Sequence, residues 1–419
     1  MEDPNLKPVI RFPNFKENWE VQKLGNFISL ITGFAFKGED ISEDSNGTPL
    51  LRGINITEGY IRHNVKIDRY FTGDTQEFEK FLLNENDLVI GMDGSKVGKN
   101  VSLINKNDSG SLLIQRVARL RATDNSDINF IYHNIFSKRF IRYVDKVNTS
   151  SGIPHISSKQ IKDFKIGFPS LLEQQRIASF LTNIESRINL LKEKKNTLID
   201  FKKGVMQKLF NQDIRFKDDI GNEFKDWDEK KLGAVGITLN GLTGKTKEDF
   251  GSGKPFIQYT QIFNSSKVKT NDFGLVNISV NDNQTKVQFG DILFTTSSET
   301  SHEVGMSSVL LEEVDELYLN SFSFGFRPNN LKELVPSFAQ YLFRSNNVRR
   351  NIIKLAQGST RYNMSKLAFM KQSILLPEED EQIKIANYLT ALDDKIDGLQ
   401  FKIDSSIDFK KGLLQKMFV

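Results

Sequence analysis

The chain contains FKKGVMQKLFN at residues 201–211 and FKKGLLQKMFV at 409–419, one segment written twice at an interval of 208 residues. Other pairs follow at the same interval. WEVQKLGN (19–26) matches WDEKKLGA (227–234), so the only two tryptophans are partners, and PSLLEQQRIASFL (169–181) matches PEEDEQIKIANYL (377–389). Between these anchors the register slips a little: TPLLRGINI (48–56) meets KPFIQYTQI (254–262) at 206, and NDLVI (86–90) meets GDILF (290–294) at 204. Five pairs in one order describe two tandem copies with similar scaffolds and divergent loops, which rules out any fold that cannot be built twice.

Each copy divides into two parts. Residues 1–168 and 212–376 mix short β-branched and aromatic runs with Gly, Asn and Ser turns. IRHNVKIDRYF, NDLVIGM, VSLIN and RVARLRA read as strands, and NFIYHNIFSKRFIRYV and PSFAQYLFRSNNVRRNIIKLA as helices, giving a mixed α/β (α+β) domain in each copy. Residues 169–211 and 377–419 each open with a proline followed by an acidic first turn, a helix start. Apolar residues then recur three and four apart: Ile177, Leu181, Ile184, Ile188, Leu191, Leu198, Val205 and Leu209 in the first copy. Ile385, Leu389, Leu392, Ile396, Leu399, Ile403, Leu413 and Met417 follow in the second. This spacing is the seam of a coiled coil.

Polar residues interrupt the seam. Lys202 and Lys410 hold one equivalent position, while Lys195 and Ser406 interrupt one copy each. Two readings are open: the lysines fix register and orientation, or they belong to a frayed end and snorkel to water. Residues 169–211 carry eight Lys/Arg against four Asp/Glu, and residues 377–419 carry six against nine, so each helix attracts the other more than a copy of itself. We expect the two to pair antiparallel within one chain, relating the copies by an approximate two-fold axis.

Composition bounds the chemistry. With no cysteine there is no disulfide, thiol nucleophile or thiolate-bound zinc, and a reducing cytoplasm is compatible. MEDPNLKPVIRF shows no secretion signal, and no apolar run is long enough to suggest a membrane span. A net charge of +4 says little about a polyanionic partner, because affinity depends on clustering. GLTGKT lacks the first glycine of a phosphate-binding loop, its place being taken by Leu239, and there is no Pro-Pro for a DNA aminomethyltransferase motif. His63, His133, His155 and His302 have no metal-ligand spacing. No catalytic or metal site is expected.

Two variable α/β domains alternating with helices that open P-x-x-x-E-Q resemble the specificity subunit of type I restriction-modification systems. The pieces that carry the resemblance are GFPSLLEQQRIASFLTNIESRI, ILLPEEDEQIKIANYLTALDDKI, the LRGINI and GDILF strands and the closing FKKGxxQKxF. It implies two target recognition domains (1–168 and 212–376), each reading one half of a bipartite, asymmetric DNA sequence. Residues 169–211 and 377–419 would then be spacer helices that dock two modification (methyltransferase) subunits, joined by restriction subunits. S-adenosylmethionine, ATP and Mg would belong to those partners. The seam from Ile177 to Leu209 covers about 48 Å at roughly 1.5 Å per residue, enough for half-sites one DNA turn apart. A recognition subunit of a fused restriction-methylation enzyme and a coiled-coil adaptor that binds only protein are the alternatives.

Base reading needs side chains on loops held by a rigid scaffold. The loops after the GDILF-type strands qualify: MDGSKVGKN, with Ser95, Lys96 and Lys99, and TTSSETSHEVG, with Ser297, Ser298, Thr300 and His302. Further candidates are Arg52, Gln115 and Arg116, and in the second copy Gln258, Tyr259 and Asn320. The segments before the long helices add Ser150, Ser151 and His155, then Thr360, Arg361 and Tyr362.

Overall fold

The computed structural model describes residues 7–148 and 153–418. Two compact units form: Met1–Lys192 with Phe401–Val419, and Glu193–Gln400. Neither ends where a long helix begins. The helices Leu171–Phe210 and Glu379–Met417 each start in one unit and finish in the other.

Both units contain the same four-stranded antiparallel sheet. In the first unit its order is Ile28–Thr32, Val117–Ala122, Leu88–Gly91, Val101–Leu103, with Leu88 opposite Leu120. In the second it is Gly236–Asn240, Ser323–Pro328, Ile292–Thr295, Ser307–Val309, with Ile292 opposite Phe326. The strands Leu88–Gly91 and Ile292–Thr295 are buried throughout, which is why LVI and ILF read as unbroken apolar runs. A smaller sheet lies beside each, held by a parallel pairing at matching places, Leu50 with Leu112 and Phe256 with Tyr318.

Some local readings change. IRHNVKIDRYF is a strand only at Tyr70–Phe71. Asn64 and Asp68 convert its middle into a turn, the Asp68 carboxylate accepting from Asn64 N and the Asn64 amide oxygen from Lys66 N. NFIYHNIFSKRFIRYV is two helices, Ile128–Ile135 and Lys138–Val147, because the Ser137 hydroxyl donates to Asn134 O and accepts from Phe140 N. PSFAQYLFRSNNVRRNIIKLA likewise divides into Pro336–Leu342 and Asn346–Ile353, with Ser345 at the N-cap.

The E-Q pair of the repeated motif fastens each long helix to its unit. Glu173 is 1% exposed and takes a two-pronged bond from Arg11, both arms at 2.7 Å. Glu381 is fully buried and takes Arg215 in the same way, at 3.1 and 2.8 Å, plus the Trp227 indole N–H at 3.0 Å. Gln174 donates to Pro169 O and accepts from Asp127 N, the N-cap of the first globular helix. Gln382 repeats this with Pro377 O and Val335 N, again an N-cap residue. One glutamine thus ties the first turn of the long helix to the first turn of a globular one.

The seam residues are buried or half-buried in both helices. In the second unit Lys195 donates to Gln400 at 2.5 Å and Lys202 to Asp393 at 2.5 Å. Seven residues forward on one helix therefore match seven back on the other, as antiparallel packing requires. In the first unit Lys410 donates to Glu185 at 2.8 Å, while Leu413 and Met417 join Ile177 and Leu181 in one core. The seam lysines are register pins, since each has a polar partner on the opposite helix. Ser406 instead turns back on its own helix, donating to Lys402 O.

Two outcomes are expected. Arg215→Met would strand a buried carboxylate and lower stability by about 3 kcal/mol in urea unfolding. The buried imidazole of His133 is pushed down to about 3, first by burial and then by Lys410, while its Nε2 faces the Thr182 hydroxyl at 3.4 Å. An unfolded histidine titrates near about 6.5. Its contribution to stability is therefore complete above that pH and lost as pH falls toward 3, by at most about 1.4 kcal/mol per pH unit. His133→Gln should flatten that slope in unfolding midpoints measured across the window.

Candidate nucleic-acid interface

In the first unit the strand Leu88–Gly91 gives way at Met92, and the chain turns into the loop of Ser95, Lys96 and Lys99. Gly98 is obligatory there: its φ is +80°, and an added Cβ would come within 3.0–3.2 Å of the Val144 side chain. The loop is tied at Asp93, which bridges to His155, and at Gly94, whose N–H donates to Pro154 O. A cleft of about 620 Å³ opens in front, lined by Arg52, Ser95, Lys96, Gln115 and Arg116, with Asp93, Arg62 and Arg69. Five of the six first-copy candidates on LRG, the loop and the LLIQR run thus converge; Lys99 is exposed in the loop outside the cleft lining, and His155 is exposed at the bridge. Ser150 and Ser151 lie outside the described residues.

The cations of this cleft are held in place. Arg52 donates to Ile67 O, Arg69 pairs with Glu43 at 2.7 Å, and Lys96 lies 3.6 Å from Glu58 with both groups exposed. Arg116 sits at φ +67°, a region costly for a residue with a side chain, and its guanidinium pairs with Asp93 at 2.8 Å.

The corresponding cleft of the second unit, about 310 Å³, is lined by Tyr259, Phe263, Ser297, Ser298, Glu299, Glu303, Phe322 and Arg361. Four candidates meet in it. Much of their polarity is spent internally: Tyr259 donates to Ser297 O at 2.7 Å, and Ser298 and Thr300 both donate to the Glu303 carboxylate. Asn320 is buried, donating to Ile257 O and accepting from Phe322 N and the Ser323 hydroxyl, so it shapes the turn. Gln258 stands at the N-cap of the helix Tyr259–Asn264. His302 and Thr360 are exposed and Tyr362 half-buried, outside the cleft lining.

Sequence reasoning missed three contributors. Phe322 is an exposed aromatic in a polar run, with the mismatch of residue type as its only signal. Arg344 and Arg349 support the loops from behind. Arg349 donates to His302 O, Val304 O and Gly305 O, and Arg344 to Ser307 O, Ile262 O, Phe263 O and Ser265 O. Burial pushes both guanidinium groups down to about 10, with mutual repulsion adding for Arg344. Among the described residues no group of three or more His, Asp or Glu side chains could hold a metal ion, and no helix is long and apolar enough to cross a membrane.

A family model described as "Type I restriction modification DNA specificity domain" matches residues 16–199 and again 224–407. The specificity subunit of type I restriction enzyme MjaVIII from Methanocaldococcus jannaschii is 25% identical over 411 residues, spanning 94% of this chain and 91% of that protein. That of EcoKI from Escherichia coli is 23% identical, spanning 96% and 88%. EcoAI, also from Escherichia coli, is 35% identical over 180 residues, 42% of this chain and 30% of its own length. In fold, the chain is similar to the crystal structure of a type I restriction-modification S subunit from M. genitalium, with a TM-score of 0.58, 16% identity and 99% of each chain covered.

Arg349→Leu should release the carbonyls of His302, Val304 and Gly305. Amide hydrogen exchange is expected to speed up in that turn and its immediate contacts, with the sheet strands unchanged.

Proposed function

The chain belongs to the type I restriction-modification DNA specificity family, and we propose that each unit reads one half of a bipartite, asymmetric DNA sequence. The observation that carries this reading is a matched scaffold with unmatched clefts. At the end of the same buried strand, one unit gathers Arg52, Lys96 and Arg116, and the other gathers Tyr259, Ser298, Phe322 and Arg361. Positively charged groups in the first suit phosphate oxygens and the acceptor edge of guanine; the second mixes one cation with carboxylates, hydroxyls and aromatic rings, a set suited to a different base pattern.

The long helices serve as the dock for two modification subunits, which supply methyl transfer with S-adenosylmethionine; restriction subunits with ATP and Mg complete the nuclease. Support for docking comes from the segment repeated at residues 201–211 and 409–419. Its lysines Lys202 and Lys410 turn inward to their ion pairs, yet Phe201 and Phe409 remain about half exposed. Large exposed aromatics at equivalent places on two helices are what a repeated partner contact requires.

Comparing methylated adenines genome-wide with and without this gene tests the reading; an unchanged pattern would sink it. With the complex in hand, Lys96→Ala and Arg361→Ala should each weaken DNA binding and lower the slope of log affinity against log salt by about 1.

A further inference from the structure

Arg116 and Phe322 occupy one structural position. Each immediately precedes a central strand of its sheet, Val117–Ala122 or Ser323–Pro328. The Arg116 carbonyl accepts from Met92 N at 2.9 Å, and the Phe322 carbonyl from Thr296 N at 3.0 Å; Met92 and Thr296 are the first residues after the matched buried strands. The next residue in each case, Asp93 or Ser297, pairs with the segment leading toward a long helix, at His155 or Asn363. The same place before the strand and two matching backbone contacts therefore make the two turns equivalent within their own units.

The side chains there differ in kind, and their neighbours differ with them. In the first unit the pair is Arg116 and Asp93, joined at 2.8 Å, with the Arg116 side chain 65% exposed. In the second it is Phe322 and Ser297, with Phe322 58% exposed. A free arginine would sample many rotamers; the Asp93 carboxylate engages one guanidinium nitrogen and leaves the rest of the fork to face the cleft. Phe322 is held through its backbone, its N–H donating to the Asn320 side chain, which is itself anchored on Ile257 O. Phe322 belongs to no apolar core cluster among the described residues. Its exposure is therefore not repaid by packing inside the unit.

Resting on the function proposed above, we propose that this turn is a base-reading position in both units. Arg116 reads a guanine through its O6 and N7 acceptors, Phe322 reads the C5-methyl of a thymine, and Asp93 is the positioning residue for Arg116. A guanidinium fork matches the paired acceptors of guanine, and a phenyl ring can neither donate nor accept, so the thymine methyl is the feature of the major groove left to it.

The test uses the full chain assembled with its modification subunits and duplexes carrying the site defined by adenine methylation, followed by gel shift. Each thymine of the site is replaced in turn by uracil, which removes only the methyl group. One replacement should weaken the wild-type complex about fourfold, the worth of one buried apolar carbon, and have no effect on the Phe322→Ala complex. Arg116→Ala should erase the preference for one G·C pair in the other half-site, a loss on the order of 5- to 150-fold. Asp93→Asn should reduce that same preference, and do nothing further once Arg116 is alanine. If the complex binds its site but every uracil acts alike in wild type and Phe322→Ala, the thymine assignment is overturned. If Arg116→Ala leaves base preference intact, the guanine assignment is overturned, and in either case the proposed function stands. A wild-type complex with no preference for any sequence overturns the function and this inference together.

Discussion

Burying a carboxylate is among the more expensive things a fold can do, and each long helix of this chain does it at the same place in its first turn. Glu173 and Glu381 are tolerated only because a guanidinium meets each one with two N–H groups, and the arginines come from segments far away in sequence. The consequence is angular. The first turn of each long helix cannot rotate or slide without breaking a buried ion pair, and the adjacent glutamine fixes that turn to the N-cap of a globular helix. The direction in which each helix leaves its unit is thereby set by polar contacts, while the apolar seam supplies adhesion that is less particular about angle.

The seam adds a second kind of selectivity. Leucine and isoleucine at heptad spacing would accept several offsets between two helices. A lysine among them accepts only the offset that brings an oxygen to its ammonium group, which Asp393, Gln400 and Glu185 do. Stability and register thus come from different residues. This separation leaves the loops that line the two clefts free to vary, because neither the lock nor the seam draws on them.

The repeat, the two long helices and the buried strands Leu88–Gly91 and Ile292–Thr295 were legible because their signals are local, periodic in the helices and apolar without a break in the strands. The E-Q motif was legible as a helix start, though not as a lock, since nothing near Glu173 in sequence announces Arg11. Helix breaks at Ser137 and Ser345 were hidden by flanking residues that keep an amphipathic pattern across the break. The clefts were legible in part. Cationic loop residues such as Lys96 proclaim themselves, whereas Asn320 looks like a contact residue and is consumed by its own turn. Phe322 was passed over for the opposite reason: an aromatic residue is read as core until its exposure is known.

The interleaving of the long helices bears on biosynthesis. The first unit's interior includes Leu413, Met417 and Phe418, with the Phe418 ring 5.5 Å from that of Phe130. Those side chains leave the ribosome only after the whole of the second unit has been made. The first-translated half must therefore wait, its core short of Leu413, Met417 and Phe418, until the end of the second long helix arrives, and a nascent chain stalled before residue 401 would offer that incomplete surface to chaperones.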